Sequence, residues 1–124
     1  MRTVLVVEDE FGVADVMVSA LEDEGYRVVV AANGRQGMER LSECAAALII
    51  MDYMMPIMDG AAMGEAVRND PAYKDVPIIM TSAISEAAVR QRFTRYDAFL
   101  RKPFRIQELL DRVTELIGAA SAPP

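Results

Sequence analysis

Five short runs, Val4–Val7, Arg27–Ala31, Ala47–Met51, Pro77–Thr81 and Ala98–Leu100, recur along the chain and are apolar or β-branched for most of their length. Their length and lack of polar alternation match strands buried on both faces. Between them the period changes. Val13, Val16, Met17, Ala20 and Leu21 keep helical spacing, and Gly25 follows where a helix C-cap is expected. Asn33 stands as N-cap ahead of Met38 and Leu41, and Asp59 ahead of Met63, Ala66 and Val67. Ser85 opens a fourth helix with Val89 and Phe93 on one side. The fifth is the clearest, with Ile106, Leu109, Leu110, Val113, Leu116 and Ile117 on one face and Gly118 to end it. Strict strand–helix alternation with short connections predicts an α/β fold, a doubly wound five-stranded parallel sheet with five helices on both faces. Neither an internal repeat nor a domain boundary interrupts residues 1–118. Residues 119–124, AASAPP, read as a flexible C-terminal tail or the start of a linker.

Composition narrows the setting. The 124 residues are the size of one domain with one real core, and 52% hydrophobic with 26% charged residues is a globular balance. No apolar run approaches the roughly 18 residues of a membrane span. MRTVLVVEDE passes straight from strand pattern to acid without a signal peptide's cleavage site, so a soluble, cytoplasmic protein is expected. The chain has no histidine and one cysteine, Cys44. That excludes an internal disulfide, a Cys/His metal cluster and histidine-based catalysis within the chain. A net charge of −6 argues against direct contact with nucleic acid.

The fold expectation gathers scattered residues into a site. In an open parallel sheet the strands end at one edge, and ligands sit outside those carboxyl ends. Glu8, Asp9 and Glu10 follow the first strand, Asp52 the third, Ser82 the fourth and Lys102 the fifth. Asp52 lies within LIIMDYMMPIMDG, an almost wholly apolar stretch where a lone carboxylate needs a partner or a cation. An all-oxygen cluster without His or Cys suits a hard ion, and Mg²⁺ is the one that keeps waters and binds phosphate oxygens. Asp52 is then a candidate nucleophile toward phosphorus, with Mg²⁺, Lys102 and the Ser82 hydroxyl neutralising charge on the transferred oxygens.

VLVVEDE, LIIMDYMMPIMDG, VPIIMTSA and FLRKPF, in that order over essentially the whole chain, resemble the receiver domain of two-component response regulators. The resemblance implies a flavodoxin-like sheet in strand order 2-1-3-4-5, with Asp52 the phosphorylated residue. It implies that Glu8, Asp9, Asp52 and the backbone carbonyl of Met54 hold Mg²⁺, that Lys102 is the family's invariant lysine, and that Ser82 is the hydroxyl that turns toward the phosphoryl group. Phe99 falls at the aromatic switch position, and Lys102–Pro103 at a peptide bond that is usually cis. Arg95 and Tyr96 stand where relatives usually place a Gly-Ala pair, and the interval from Ser82 to Lys102 is short, so a truncated or irregular fourth helix is expected. Met54 and Ile84, apolar where many relatives are polar, are expected to tune the rate by failing to activate an attacking water.

Duller readings stand beside these. Cys44 is a small partly buried side chain; the nine methionines fill gaps in core and rim. Arg90, Arg92, Arg95, Arg101, Lys102 and Arg105 read mainly as a solvated face, with docking of an acidic partner the lesser reading. Three functions compete. The favoured one is a switch that takes a phosphoryl group from a partner histidine kinase or histidine phosphotransfer protein and signals to a downstream protein, standing alone or as one module of a longer regulator. It would be no enzyme in the narrow sense, catalysing only its own phosphorylation and dephosphorylation. A degenerate receiver that binds partners constitutively is the alternative. A Mg²⁺-dependent aspartyl-phosphate phosphatase is weaker, since the Asp-x-Asp motif after the first strand is absent.

Overall fold

The computed structural model describes residues 2–118; the tail expected over 119–124 lies outside the described residues. Ten elements alternate without exception: β1 (Thr3–Val7), α1 (Phe11–Asp23), β2 (Arg27–Ala31), α2 (Gly34–Glu43), β3 (Ala46–Asp52), α3 (Gly60–Asn69), β4 (Ile78–Ser82), α4 (Glu86–Arg90), β5 (Ala98–Arg101) and α5 (Ile106–Ile117). All strand pairs are parallel, in the order β2-β1-β3-β4-β5. The expected doubly wound sheet is therefore the observed one, with strand ends shifted by a residue where apolar runs meet turns.

Successive residues of the central strands feed opposite cores, as the two-residue period of a strand demands. Leu5 and Val7, Ile49 and Met51, and Ile78 and Met80 face the layer holding Leu41, Met63, Val67, Val89 and Phe93. Val4 and Val6, Leu48 and Ile50, and Ile79 face Met17, Leu21, Leu109, Val113 and Ile117 of α1 and α5. The strands read as continuous apolar runs because both of their faces are covered.

Caps end the helices as expected. The Asn33 side chain accepts from the Gln36 amide at 2.9 Å, Asp59 from Ala62 at 2.9 Å and Ser85 from Ala88 at 3.3 Å. Gly25, with φ 94°, supplies the left-handed residue just past α1. Helix α4 covers only five residues. The next stretch is anchored by Phe93, whose buried ring lies so close to α3 that a Cβ on Gly64 would fall 2.6 Å from it. Tyr96 stacks against Phe93 at 6.3 Å and Phe99 at 5.9 Å between ring centroids. An aromatic ladder thus replaces the missing turns of α4.

Candidate phosphorylation site

The sheet delivers the acidic residues to one edge. Glu8 and Asp9 leave β1, Asp52 is the last residue of β3, and β4 ends at Ser82. Carboxylate oxygens of Glu8, Asp9 and Asp52 lie within 4.8 Å of one another. Asp9 is exposed, whereas Glu8 and Asp52 are only 2% and 7% exposed. Gly60 makes this packing possible: any Cβ there would stand 2.6 Å from the Asp52 carbonyl oxygen, and its amide donates to the Tyr53 carbonyl at 2.8 Å. The loop from β3 thereby turns back on itself beside Asp52.

Lys102 follows β5 and reaches into the cluster. Its ammonium lies 2.6 Å from Glu8 Oε1 and 3.3 Å from Asp52 Oδ2. Glu8 also accepts from the Glu10 amide at 3.2 Å. Burial is the largest influence on both buried carboxyls and pushes each above its ordinary value; Lys102 counteracts this without overcoming it. Burial works against the Lys102 charge as well, but its hydrogen bond to Glu8 and the charge of Asp52 outweigh it and raise the ammonium pKa. One ammonium shared by two buried acids, with a third carboxylate alongside, leaves negative charge in excess. The oxygen-only donor set suits a hard divalent cation.

The other predicted residues fall around this centre. Ser82 is fully buried, and its Oγ accepts from the Ile84 amide at 3.1 Å. Met54 follows two residues after Asp52 with its side chain 59% exposed, and lines a cavity of about 370 Å³ with Asp9, Tyr53, Pro56, Asp59 and Arg92. Ile84 packs against the core rather than lining this cavity. Phe99 sits on Tyr96, and the Lys102–Pro103 bond is cis.

Sequence reasoning passed over Arg92, Tyr53 and Asp59 as members of the site. Arg92 Nη1 donates to Asp59 Oδ2 at 2.7 Å and to the Tyr53 hydroxyl at 3.2 Å, with its guanidinium 5.7 Å from the Tyr53 ring centre. Burial is the largest single influence on Asp59 and acts to raise its pKa, but the Ala62 amide and Arg92 together hold it below the usual value. The basic run is accordingly only partly a free solvated face. Arg92 pairs with Asp59, Arg95 with Glu65, and Lys102 belongs to the cluster.

The comparisons with known proteins decide the family. The model of the response regulator receiver domain matches residues 4–114. This chain belongs to the receiver-domain family. The probable chemotaxis protein CheY of Rhizobium etli is 33% identical to this receiver domain, covering 94% of the chain and 92% of the relative. A DNA-binding dual master transcriptional regulator, RpaA of Synechocystis sp., is 29% identical over 94% of the chain, yet that match takes in 49% of the relative. The chain thus spans about half the length of several curated relatives. Among solved structures, the receiver domain of sensor histidine kinase PA1611 from Pseudomonas aeruginosa superposes with a TM-score of 0.87 at 28% identity, covering 95% of this chain and 98% of that one. That structure has a magnesium ion coordinated in its active site cleft. As a receiver domain of a two-component system, this chain carries an acidic pocket suited to Mg²⁺ and to phosphorylation of an aspartate.

Proposed function

We propose that this receiver domain is a switch in which Asp52 accepts a phosphoryl group from the phosphohistidine of a partner kinase or phosphotransfer protein, or from a small acyl phosphate. The carrying observation is the convergence of the Glu8, Asp9 and Asp52 oxygens within 4.8 Å, with the Lys102 ammonium 3.3 Å from Asp52. Glu8, Asp9, Asp52 and the Met54 carbonyl would hold Mg²⁺. When bound, the ion neutralises the carboxylates and lowers the cost of bringing phosphate oxygens among them. An Asp52 carboxylate oxygen attacks phosphorus; the new O–P bond forms as the donor's P–N or acyl P–O bond breaks. The bonding pair leaves with imidazole or with the carboxylate. Lys102, already charged and poised between Glu8 and Asp52, follows the negative charge onto the phosphoryl oxygens, and the Ser82 hydroxyl donates to one of them.

The added charge then biases the surface formed by α4, β5 and α5, where Phe99 and Tyr96 stack. The readout is a downstream protein in the cytoplasm. None of the described helices is long and apolar enough to cross a membrane, and the net charge of −6 disfavours nucleic acid as a direct partner. An apolar cavity of about 550 Å³ lined by Lys102, Val13, Val16 and Phe104, together with the 80% exposed Phe11 that opens α1, supports a protein as donor.

Incubation with ³²P-labelled donor and Mg²⁺ tests this reading: wild type takes up acid-stable, base-labile label, and Asp52→Asn takes up none. Equal labelling of Asp52→Asn would refute it. Of Met54 and Ile84, Met54 is the one that lines the cavity beside Asp9, and it offers an attacking water no polar group, so the acyl phosphate is expected to be long-lived. Met54→Asn should shorten its half-life by about tenfold, as read from loss of label in donor-free buffer. An unchanged half-life would remove Met54 from the account.

A further inference from the structure

The cavity of about 370 Å³ joins the metal-site residues Asp9 and Met54 to a cation from elsewhere in the chain, Arg92. The deeper cation, Lys102, is already held by Glu8 and Asp52. Arg92 differs from it. Its Nη1 alone makes both contacts, to Asp59 Oδ2 and the Tyr53 hydroxyl, and the Tyr53 ring lies beneath the guanidinium. Among the described residues, Nε and Nη2 have no protein acceptor, and the side chain is about half exposed at the cavity wall. One edge of a planar fork is therefore anchored while the other keeps its donors, a geometry matched to phosphate or carboxylate oxygens.

Resting on the phosphoacceptor reading, we infer that Arg92 is a specificity-determining residue for that reaction: it receives the anionic part of the incoming phosphodonor at the solvent side of the site. An approaching dianion meets the carboxylates of Asp9 and Asp59 in this cavity, with Glu8 and Asp52 oxygens within 4.8 Å of Asp9 behind them, and Arg92 is the cation lining the same cavity. Its Asp59 contact fixes the guanidinium and leaves it charged; the Asp59 hydrogen bond is the first cause of its raised pKa. The selection is by donor charge. Acetyl phosphate, a dianion at neutral pH, gains more from Arg92 than phosphoramidate, whose ammonium-like nitrogen offsets part of its charge.

The test compares initial rates of phosphorylation of wild type, Arg92→Gln and Arg92→Lys with acetyl phosphate and with phosphoramidate, at saturating Mg²⁺. Arg92→Gln should lower the second-order rate with acetyl phosphate about fivefold, as befits a partly exposed charge contact, with a smaller loss toward phosphoramidate. Arg92→Lys should recover part of the loss, and calorimetric Mg²⁺ affinity should match wild type in both variants. Equal rates for Arg92→Gln and wild type overturn the inference. So do equal losses with both donors together with weakened Mg²⁺ binding, which would make Arg92 a brace for the loop after β3. If neither donor phosphorylates wild type, the phosphoacceptor reading itself falls, an outcome distinct from both.

Discussion

Ile57 holds φ at 70° in the loop after β3, with its side chain 76% exposed. A β-branched residue in left-handed backbone costs about 1–2 kcal/mol, and so exposed a side chain recovers little of it by burial. Ile57→Gly is expected to raise the unfolding free energy by about 0.5–1 kcal/mol after allowing for glycine's freedom in the unfolded chain. Urea denaturation checks this; an unchanged or lower midpoint would mean that the backbone there is unstrained. Asp52 carries the opposite kind of strain, electrostatic and set by burial. Its pKa and that of Glu8 are raised in the folded state, chiefly by burial, so folding holds their protons more tightly than the unfolded chain does. Stability from this source is present below the ordinary carboxylate range and is lost as pH rises through the raised values. At neutral pH the metal-free wild type is thus penalised, and the neutral isostere Asp52→Asn should melt higher. Mg²⁺ at a hundred times its Kd should add about 2.7 kcal/mol to wild type and less than that to Asp52→Asn. Thermal melts with and without Mg²⁺ measure both effects; a metal-free Asp52→Asn that melts below wild type would contradict the burial argument.

Helix α4 and the stretch that follows it show how an element is kept when its own turns are missing. Five residues are too few for a stable helix by themselves. Phe93 supplies the anchorage by filling the space that Gly64 leaves open on α3, and Tyr96 extends the packing to Phe99 while its hydroxyl donates to Glu86. Phe93→Ala should cost about 3–5 kcal/mol in urea unfolding, as for other buried aromatics, and loosen the surface proposed to change on phosphorylation. A loss under about 1 kcal/mol would show that α4 is held by other means. The shortness of α4 was legible, because Ser82 and Lys102 bound the interval and Arg95–Tyr96 occupies it. The central strands and the caps Asn33 and Asp59 were legible for local reasons, apolar runs and side chains that bond an amide three residues on. Arg92 was not. Its partners Asp59 and Tyr53 lie 33 and 39 positions away, and nothing local separates it from the neighbouring arginines read as a solvated face.

At the scale of the whole molecule, parallel topology creates the site. Glu8 and Lys102 are 94 positions apart, yet both follow strands of the same sense and therefore meet at one edge of the sheet. That meeting could be foreseen once the strand–helix alternation was recognised. The sharing of Lys102 between Glu8 and Asp52 could not, since side-chain partners follow from packing rather than order. The same topology pairs Asp52 with Thr81 on β4 and Met80 on β4 with Phe99 on β5, the route by which charge added at Asp52 is proposed to reach the surface of α4, β5 and α5. The most direct measurement of this account is the intact mass after incubation with acetyl phosphate and Mg²⁺, beside an Asp52→Asn control. One phosphoryl group per chain is expected, dependent on Mg²⁺ and absent from the control. A protein that binds Mg²⁺ but gains no phosphoryl group, or gains it equally with Asp52→Asn, is not a phosphoacceptor through Asp52.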